Sequence, residues 1–373
     1  MKLEILKENL KGGLGVVERV TGKNITLPIL DNVFLKTEDS FLNLIATNLE
    51  TTIKLWVLTK VIKKGSAVVP AKFLSSFIAS LPNEKIIIEE KNQNLSIECV
   101  NYKTQVRGFN PEDFPIIPEF RQTDSVQIEG AKLCQAISQV IDVPMPSQSR
   151  PEISGIYFSF SNVMKVAATD SFRLAEKIIS LDKPAKKEHS FILPQKPARD
   201  VIGILEGKEG MVTIYFSENQ AMFEFNMKEV QHPQVQIISR LIEGEYPNYQ
   251  EIIPTKFKTN TTIKRDEFLN QIKAASFFAS KTNEIKVSVN PEKGEVHVLS
   301  QAVDVGDFTS SLPAKITGEQ VEVSFNYKYV LDGLLNMKSS EINFQINKED
   351  GPCILKPVGD STYLYVVMPI KPI

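Results

Sequence analysis

Three histidines and three cysteines are the residues of this 373-residue chain with the most catalytic potential, but their spacing argues against it. His189 lies in a polar stretch, His232 precedes Pro233 and His297 stands alone. Zinc chemistry needs ligands at spacings such as His-Glu-x-x-His, where one helical turn sets two imidazoles side by side, and no such pair occurs. Cys99, Cys134 and Cys353 are widely separated and odd in number, which indicates neither a disulfide framework nor a metal cluster. Cys99 alternates with Leu95 and Ile97 as a buried strand residue does, so inert thiols are expected. Gly12, Gly13 and Gly15 follow no Walker spacing and precede no Lys-Ser/Thr pair. They are expected to weaken or shape a helix, at about 1 kcal/mol each relative to alanine. There is no G-x-S-x-G elbow and no local Cys-His pair. The acidic pairs Glu89-Glu90 and Glu349-Asp350 fall at expected hairpin turns, where charge is solvated. No catalytic residue, metal ligand or cofactor is expected.

The chemistry that does recur is cationic. Six short segments carry apolar residues at helical spacing: Leu10, Leu14, Val17; Phe73, Phe77, Ile78, Leu81; Leu133, Ala136, Ile137, Val140, Ile141; Val201, Ile204, Leu205; Phe268, Leu269, Ile272, Ala275; and Val330, Leu331, Leu334, Leu335. Their opposite faces hold Lys7 and Lys11, Lys72, Lys132, Lys196 and Arg199, Arg265 and Lys273, and Lys328. Taken singly these are solvated helix faces; their recurrence in equivalent places points to one shared basic surface. A formal net charge of −2 argues against a protein that simply grips nucleic acid by bulk attraction, yet leaves room for a local basic surface.

The elements that position these cations come in three rounds. Each round opens with an extended segment and a helix, passes through hairpin strands and reaches a second helix followed by another hairpin. The second-helix cassettes span 66–99, 190–225 and 321–355. Their period, roughly 120 to 130 residues, is too long for a solenoid and fits three domains of one fold. Stiff connectors close the first two rounds, Asp113 to Phe120 and Glu245 to Pro254, because proline fixes its own φ and extends the residue before it. The expected domains are 1–121, 124–254 and 255–373, in an α+β fold of antiparallel sheet with two short helices per domain. Composition is ordinary, with 42% apolar and 24% charged residues. No apolar run reaches the roughly 18 residues that span a bilayer, and the charged N-terminus is unlike a signal peptide, so a cytoplasmic location and no membrane contact are expected.

One turn combines structure with a possible contact surface. Ala168-Thr169-Asp170-Ser171-Phe172-Arg173-Leu174 lies where the first round has Ala46-Thr47-Asn48-Leu49-Glu50 and the third has Ser300-Gln301-Ala302-Val303-Asp304. Asp or Asn at such a tip hydrogen-bonds its own backbone and holds the turn, and Arg173 beside Phe172 suggests a surface that meets a partner.

That turn, together with Thr26-Leu27-Pro28-Ile29-Leu30, Phe325-Asn326-Tyr327-Lys328-Tyr329-Val330-Leu331 and the ending Tyr365-Val366-Val367-Met368-Pro369-Ile370, resembles the bacterial DNA polymerase III beta subunit, the replication sliding clamp. The resemblance runs from Met1 to the C-terminus with the order of the three rounds intact. It implies a head-to-tail homodimeric ring with helices lining the hole, which encircles and slides on double-stranded DNA without sequence preference. Such a ring is a non-catalytic processivity factor that tethers the replicative polymerase catalytic subunit, the clamp loader and other proteins bearing a clamp-binding motif. Enclosure supplies persistence, and scattered cations touch phosphates weakly.

The candidate DNA-facing groups are Lys23, Lys72, Lys103, Lys132, Arg150, Lys196, Arg199 and Lys273, with Lys7 and Lys11 as further candidates; the resemblance supports Lys72, Lys103, Arg150 and Lys196 best. A partner-peptide groove would use Ile153, Thr169, Phe172, Arg173, Leu174, Pro247, Ile252, Asn326, Tyr329, Val366, Met368 and Ile370. Phe277 and Phe278 would pack on the sheet edge near Lys103 and Arg107 of a second copy; the alternative is that both belong to the third domain's own core. The chain departs from many relatives in having Phe172 for a histidine, in Glu245 and Glu251 where some relatives carry basic residues, and in the added Pro372 and Ile373. Two other readings stay open on the residues alone: a monomeric or dimeric peptide-binding adaptor without a ring, and a hydrolase whose groups converge from separate domains.

Overall fold

The computed structural model describes residues 1–22, 26–117, 120, 124–185 and 187–371. The six expected helices form, as α1 (Lys7–Val17), α2 (Ala71–Ser80), α3 (Gly130–Val140), α4 (Gln195–Leu205), α5 (Arg265–Ser276) and α6 (Tyr327–Leu335). No helix among the described residues is long and apolar enough to cross a membrane.

The chain divides into two compact units, residues 1–133 with 199–241, and residues 134–198 with 242–373. In the first unit a five-stranded sheet runs in the order Lys60–Lys63, Lys2–Leu6, Lys85–Lys91, Asn94–Cys99, Tyr102–Arg107. An eight-stranded sheet begins with Asp124–Glu129, Met211–Phe216, Gln220–Asn226 and Pro233–Arg240 and continues with Thr51–Leu58, Phe41–Thr47, Asn32–Glu38 and Ser66–Pro70. The second unit holds a nine-stranded sheet, His189–Pro194, Gly155–Phe160, Val163–Thr169, Arg173–Ser180, Tyr363–Val367, Cys353–Pro357, Glu341–Ile346, Thr259–Lys264 and Lys315–Gly318. Its four-stranded sheet runs Gly306–Pro313, Glu295–Ala302, Glu284–Asn290, Val321–Asn326. Asn94–Cys99 alternates buried and half-buried residues, whereas central strands of the two large sheets, such as Phe41–Thr47 and Arg173–Ser180, are buried on both faces.

Strand pairing joins neighbouring rounds of the sequence. Pro233–Arg240 of the middle round pairs antiparallel with Thr51–Leu58 of the first, and Arg173–Ser180 of the middle round pairs with Tyr363–Val367 of the third. The middle round therefore gives four strands to each of the two large sheets. Backbone hydrogen bonds of these pairs hold the joins.

Packing revises several expectations about helix faces. In α1, Lys7 is only 9% exposed and shares the buried stripe of Leu10 and Leu14, so it is not an outward cation. In α2 the buried residues are Ala71, Leu74 and Ile78, while Phe73 points outward at 57% exposure. In α6, Leu335 is exposed, and Arg265 at the start of α5 is largely covered, donating to the Met337 carbonyl. A period of 3.6 residues leaves such flanking positions ambiguous until the neighbouring element is known. The glycine cluster also finds its reason. A Cβ at Gly13 would stand 2.5 Å from Leu44 Cδ1 and 2.9 Å from Val57 Cγ1, so glycine lets α1 lie close on the strands beneath, whereas Gly12 and Gly15 face open space. All three cysteines are buried, and none of them is in a disulfide.

Candidate peptide-binding groove

The hairpin of strands Val163–Thr169 and Arg173–Ser180 has a tip tied by its own side chains. Thr169 Oγ1 donates to the Arg173 carbonyl at 2.8 Å, and Asp170 Oδ1 accepts from the N–H groups of Phe172 at 2.9 Å and Arg173 at 3.0 Å. Ser171 takes a left-handed φ of 76° between them. Such side-chain bonds to local backbone replace strand pairing with a fixed turn. The first round repeats the device: Thr47 Oγ1 donates to the Thr51 carbonyl at 3.1 Å, Asn48 Oδ1 accepts from Glu50 at 3.0 Å and Thr51 at 2.7 Å, and Leu49 has φ 74°. Glu50 and Thr51 stand there where the second tip carries Phe172 and Arg173. The third tip is built differently, with Gly306 at φ 122° and Val303 fully exposed.

Arg173 does not present itself to solvent as the sequence suggested. It is 6% exposed. Its Nε donates to Asp170 Oδ2 at 3.0 Å, one terminal nitrogen is ion-paired with Asp332, and the other donates to the Asp142 carbonyl at 3.0 Å. The guanidinium also lies 4.8 Å over the Tyr329 ring. Burial works against its charge, but Tyr365, Asp170 and Asp332 outweigh it and hold the group protonated more firmly than usual. Arg173 thus lies behind the groove surface and fixes α6 to the hairpin tip.

Phe172 is the exposed member of the pair, at 59%, and stacks on Tyr329 with centroids 6.3 Å apart. The C-terminal strand sets Val366 opposite Leu174, and beyond it the Met368 N–H donates to the Phe172 carbonyl at 2.8 Å. Ile370 N–H donates to the Ser324 carbonyl at 2.8 Å, two residues before Asn326, whose side chain caps α6 by accepting from the Lys328 N–H at 3.1 Å. On one sheet face Leu174 and Val366 join Ala167, Ile354 and Tyr249 in an apolar cluster, against which Tyr246 and Ile253 pack. That packing brings the loop of Pro247 and Ile252 alongside, with Ile252 49% exposed. Tyr249 Oη donates to Glu176 Oε2 at 2.5 Å, and burial together with that carboxylate pushes the hydroxyl's pKa up, so it stays a donor. Arg150 reaches Ser171 Oγ at 3.1 Å and Glu152 at 3.3 Å, linking the turn that holds buried Ile153 to the same tip. Ile153, Thr169, Phe172, Leu174, Pro247, Ile252, Asn326, Tyr329, Val366, Met368 and Ile370 therefore all lie on elements tied to this hairpin. The arrangement offers half-exposed aromatic and aliphatic surface with an adaptable methionine, suited to hold an apolar segment.

Other candidate residues are placed as follows. Lys72, Lys103, Lys132, Lys196, Arg199 and Lys273 are exposed, as is Lys11; Lys23 lies outside the described residues. Lys103 pairs with Glu98 at 2.5 Å and Lys132 with Glu129 at 3.0 Å, exposed contacts that cost little to exchange. Phe277, at the end of α5, is 78% exposed and so is not in a core, whereas Phe278 stacks on Phe308 at 5.7 Å. Phe308 belongs to the edge strand of the four-stranded sheet, and Lys103 and Arg107 belong to the edge strand of the five-stranded sheet. Sequence reasoning missed Asp332, Glu176 and Asp142; the one available signal was Asp332, a lone acid in an otherwise apolar stretch of α6.

Four antiparallel sheets and six short helices among the described residues, with half-exposed apolar surface beside Phe172, define a sheet-built protein with a surface suited to binding. Sequence models of the DNA polymerase III beta subunit match in order, the N-terminal domain at residues 1–118, the central domain at 127–248 and the C-terminal domain at 250–371. The chain belongs to this family, the sliding clamps, which are non-catalytic processivity subunits of the DNA polymerase III holoenzyme. It is 26% identical to the beta sliding clamp of Synechococcus elongatus over all of this chain and 99% of that one. It is also 26% identical to that of Bacillus subtilis over the whole of both. The crystal structure of the Bacillus subtilis DNA polymerase sliding clamp superposes over all of both chains with a TM-score of 0.93 at 25% identity. The beta subunit of Streptococcus pyogenes DNA polymerase shares the fold, with a TM-score of 0.93 at 19% identity over all of both chains.

Proposed function

We propose that two copies of this chain close head to tail into a ring around double-stranded DNA in the cytoplasm. The ring tethers the replicative polymerase, and in turn the clamp loader and other motif-bearing proteins, through the groove beside Phe172. One observation carries the reading: three domains of a single clamp family follow one another in order along the chain. Two features support it. The edge strands Tyr102–Arg107 and Gly306–Pro313 each have one unpaired side, and exposed Phe277 supplies apolar surface for a second copy. Exposed Lys72, Lys132, Lys196, Arg199 and Lys273 lie on helices, where they can touch phosphates without reading bases. A closed ring moves along DNA because no base contact holds it at one sequence.

The test is retention on nicked circular DNA in high salt after loading by a clamp loader, before and after one cut linearises the circle. Retention followed by loss on cutting is the expected outcome. Salt-sensitive loss from both forms would instead mean ordinary phosphate binding and favour a ring-free adaptor.

A further inference from the structure

A second cleft, about 730 Å³, lies on the same sheet face as Leu174 and Val366, on the far side of the Pro247 loop. Its floor is Ser159 and Lys165, its lining includes Tyr157, Tyr246 and Tyr249, and Glu188 borders it, while the His189 ring lies on the opposite sheet face beside Phe191. Lys165 is half-buried, and among the described residues it has no carboxylate partner. Folding has already removed part of its hydration, so pairing there costs mainly the hydration of the incoming carboxylate.

Strand register relates this cleft to the groove. Thr169, Ala167 and Lys165 follow one another on one face of the same strand, with Tyr157 opposite Ala167 and Ser159 opposite Lys165. Four residues at about 3.4 Å each put Lys165 roughly 14 Å from Thr169. Four or five extended residues of a bound chain cover that distance, passing over Pro247, which borders both sites.

We propose that this cleft receives the segment flanking a partner's groove-bound core, and that Lys165 selects an acidic residue four to five positions from the core. The proposal rests on the groove reading above. A peptide fits better than a nucleic acid, because Tyr157 and Tyr246 are stacked on each other at 4.7 Å with Tyr249 edge-on to both, which leaves few ring faces for a base. Glu188 at the rim limits the segment to a single acid.

The probe is a fluorescent peptide from the clamp-binding segment of the replicative polymerase of the same organism. It is compared with the same peptide lengthened at its C-terminal end by Gly-Gly-Ser-Glu-Gly or Gly-Gly-Ser-Gln-Gly, or at its N-terminal end by Gly-Glu-Ser-Gly-Gly or Gly-Gln-Ser-Gly-Gly, so that the varied residue stands four positions from the core in every case. Anisotropy should show the glutamate extension at one end binding about five-fold tighter than the glutamine one, a gain of about 1 kcal/mol. Lys165→Gln should erase that gain and leave the unextended peptide unchanged. Equal binding of the two extensions, or a gain that survives Lys165→Gln, overturns the proposal with the groove intact. Failure of the unextended peptide to bind the wild-type protein overturns the groove reading itself. Binding of a twelve-residue oligo-dT that is lost in Lys165→Gln would assign the cleft to nucleic acid and overturn the proposal.

Discussion

Arg173 and Asp332 form an ion pair between the tip of a hairpin and the middle of α6, and the same guanidinium is held by Asp170 and by the Asp142 carbonyl. One side chain thus fastens the two walls between which Phe172 and Tyr329 stack. Its acceptors form a fork that a planar guanidinium satisfies and an ammonium does not.

Replacing Arg173 with alanine leaves Asp170, whose side chain is 4% exposed, without its counter-charge. Breaking a buried pair from one side costs on the order of 3 kcal/mol. Arg173→Ala should therefore lower the denaturation midpoint and raise amide exchange in 168–174 and 327–335, with Arg173→Lys recovering little. Unchanged exchange in both segments would show that the pair does not hold the walls.

Met368 and Ile370 reach the groove through backbone bonds to Phe172 and Ser324. Met368→Ala combined with removal of residues 370–373 should abolish binding of a partner peptide in calorimetry while light scattering still reports the same assembly. Phe172→Ala alone should cost about 1 to 2 kcal/mol of peptide affinity, the usual range for an exposed aromatic anchor. Wild-type affinity in the truncated variant would remove the C-terminal segment from the site.

Two glycines in one helix should respond in opposite directions. A Cβ at Gly13 has no space between Leu44, Val57 and Leu55, while one at Gly15 meets nothing. Gly13→Ala should destabilise by about 1 to 3 kcal/mol through overpacking. Gly15→Ala should stabilise by up to about 1 kcal/mol by raising helix propensity. Denaturant titration of both variants decides the matter, and a stable Gly13→Ala would mean that α1 can shift away from the strands.

Phe277 is the most exposed aromatic side chain of the chain's described residues. If it seals the contact with a second copy, Phe277→Glu should bury a charge there and convert the dimer to monomer in light scattering, with unchanged melting of the isolated chain. A dimer of unaltered strength would place the interface elsewhere.

Local patterning made six helices, the alternating strands and the Asn48 and Asp170 turns readable from sequence, because each depends on periodicity or on bonds spanning two or three residues. The run of matching segments from Thr26 to Ile370 likewise pointed to the family before any contact was known. Which side of each helix is covered was beyond it: Lys7 and Phe73 exchange the roles their spacing suggests, since burial depends on the element packed opposite. Gly13 needed the positions of Leu44 and Val57, far along the chain, before its missing side chain had a cause. The burial of Arg173 depends on Asp142 and Asp332, and the sharing of the middle round's strands depends on pairing across distant segments. Sequence alone determined the elements, their threefold order and the family. Only the tertiary structure decided which side chains face solvent and which charges meet, because those depend on long-range packing that no local spacing encodes.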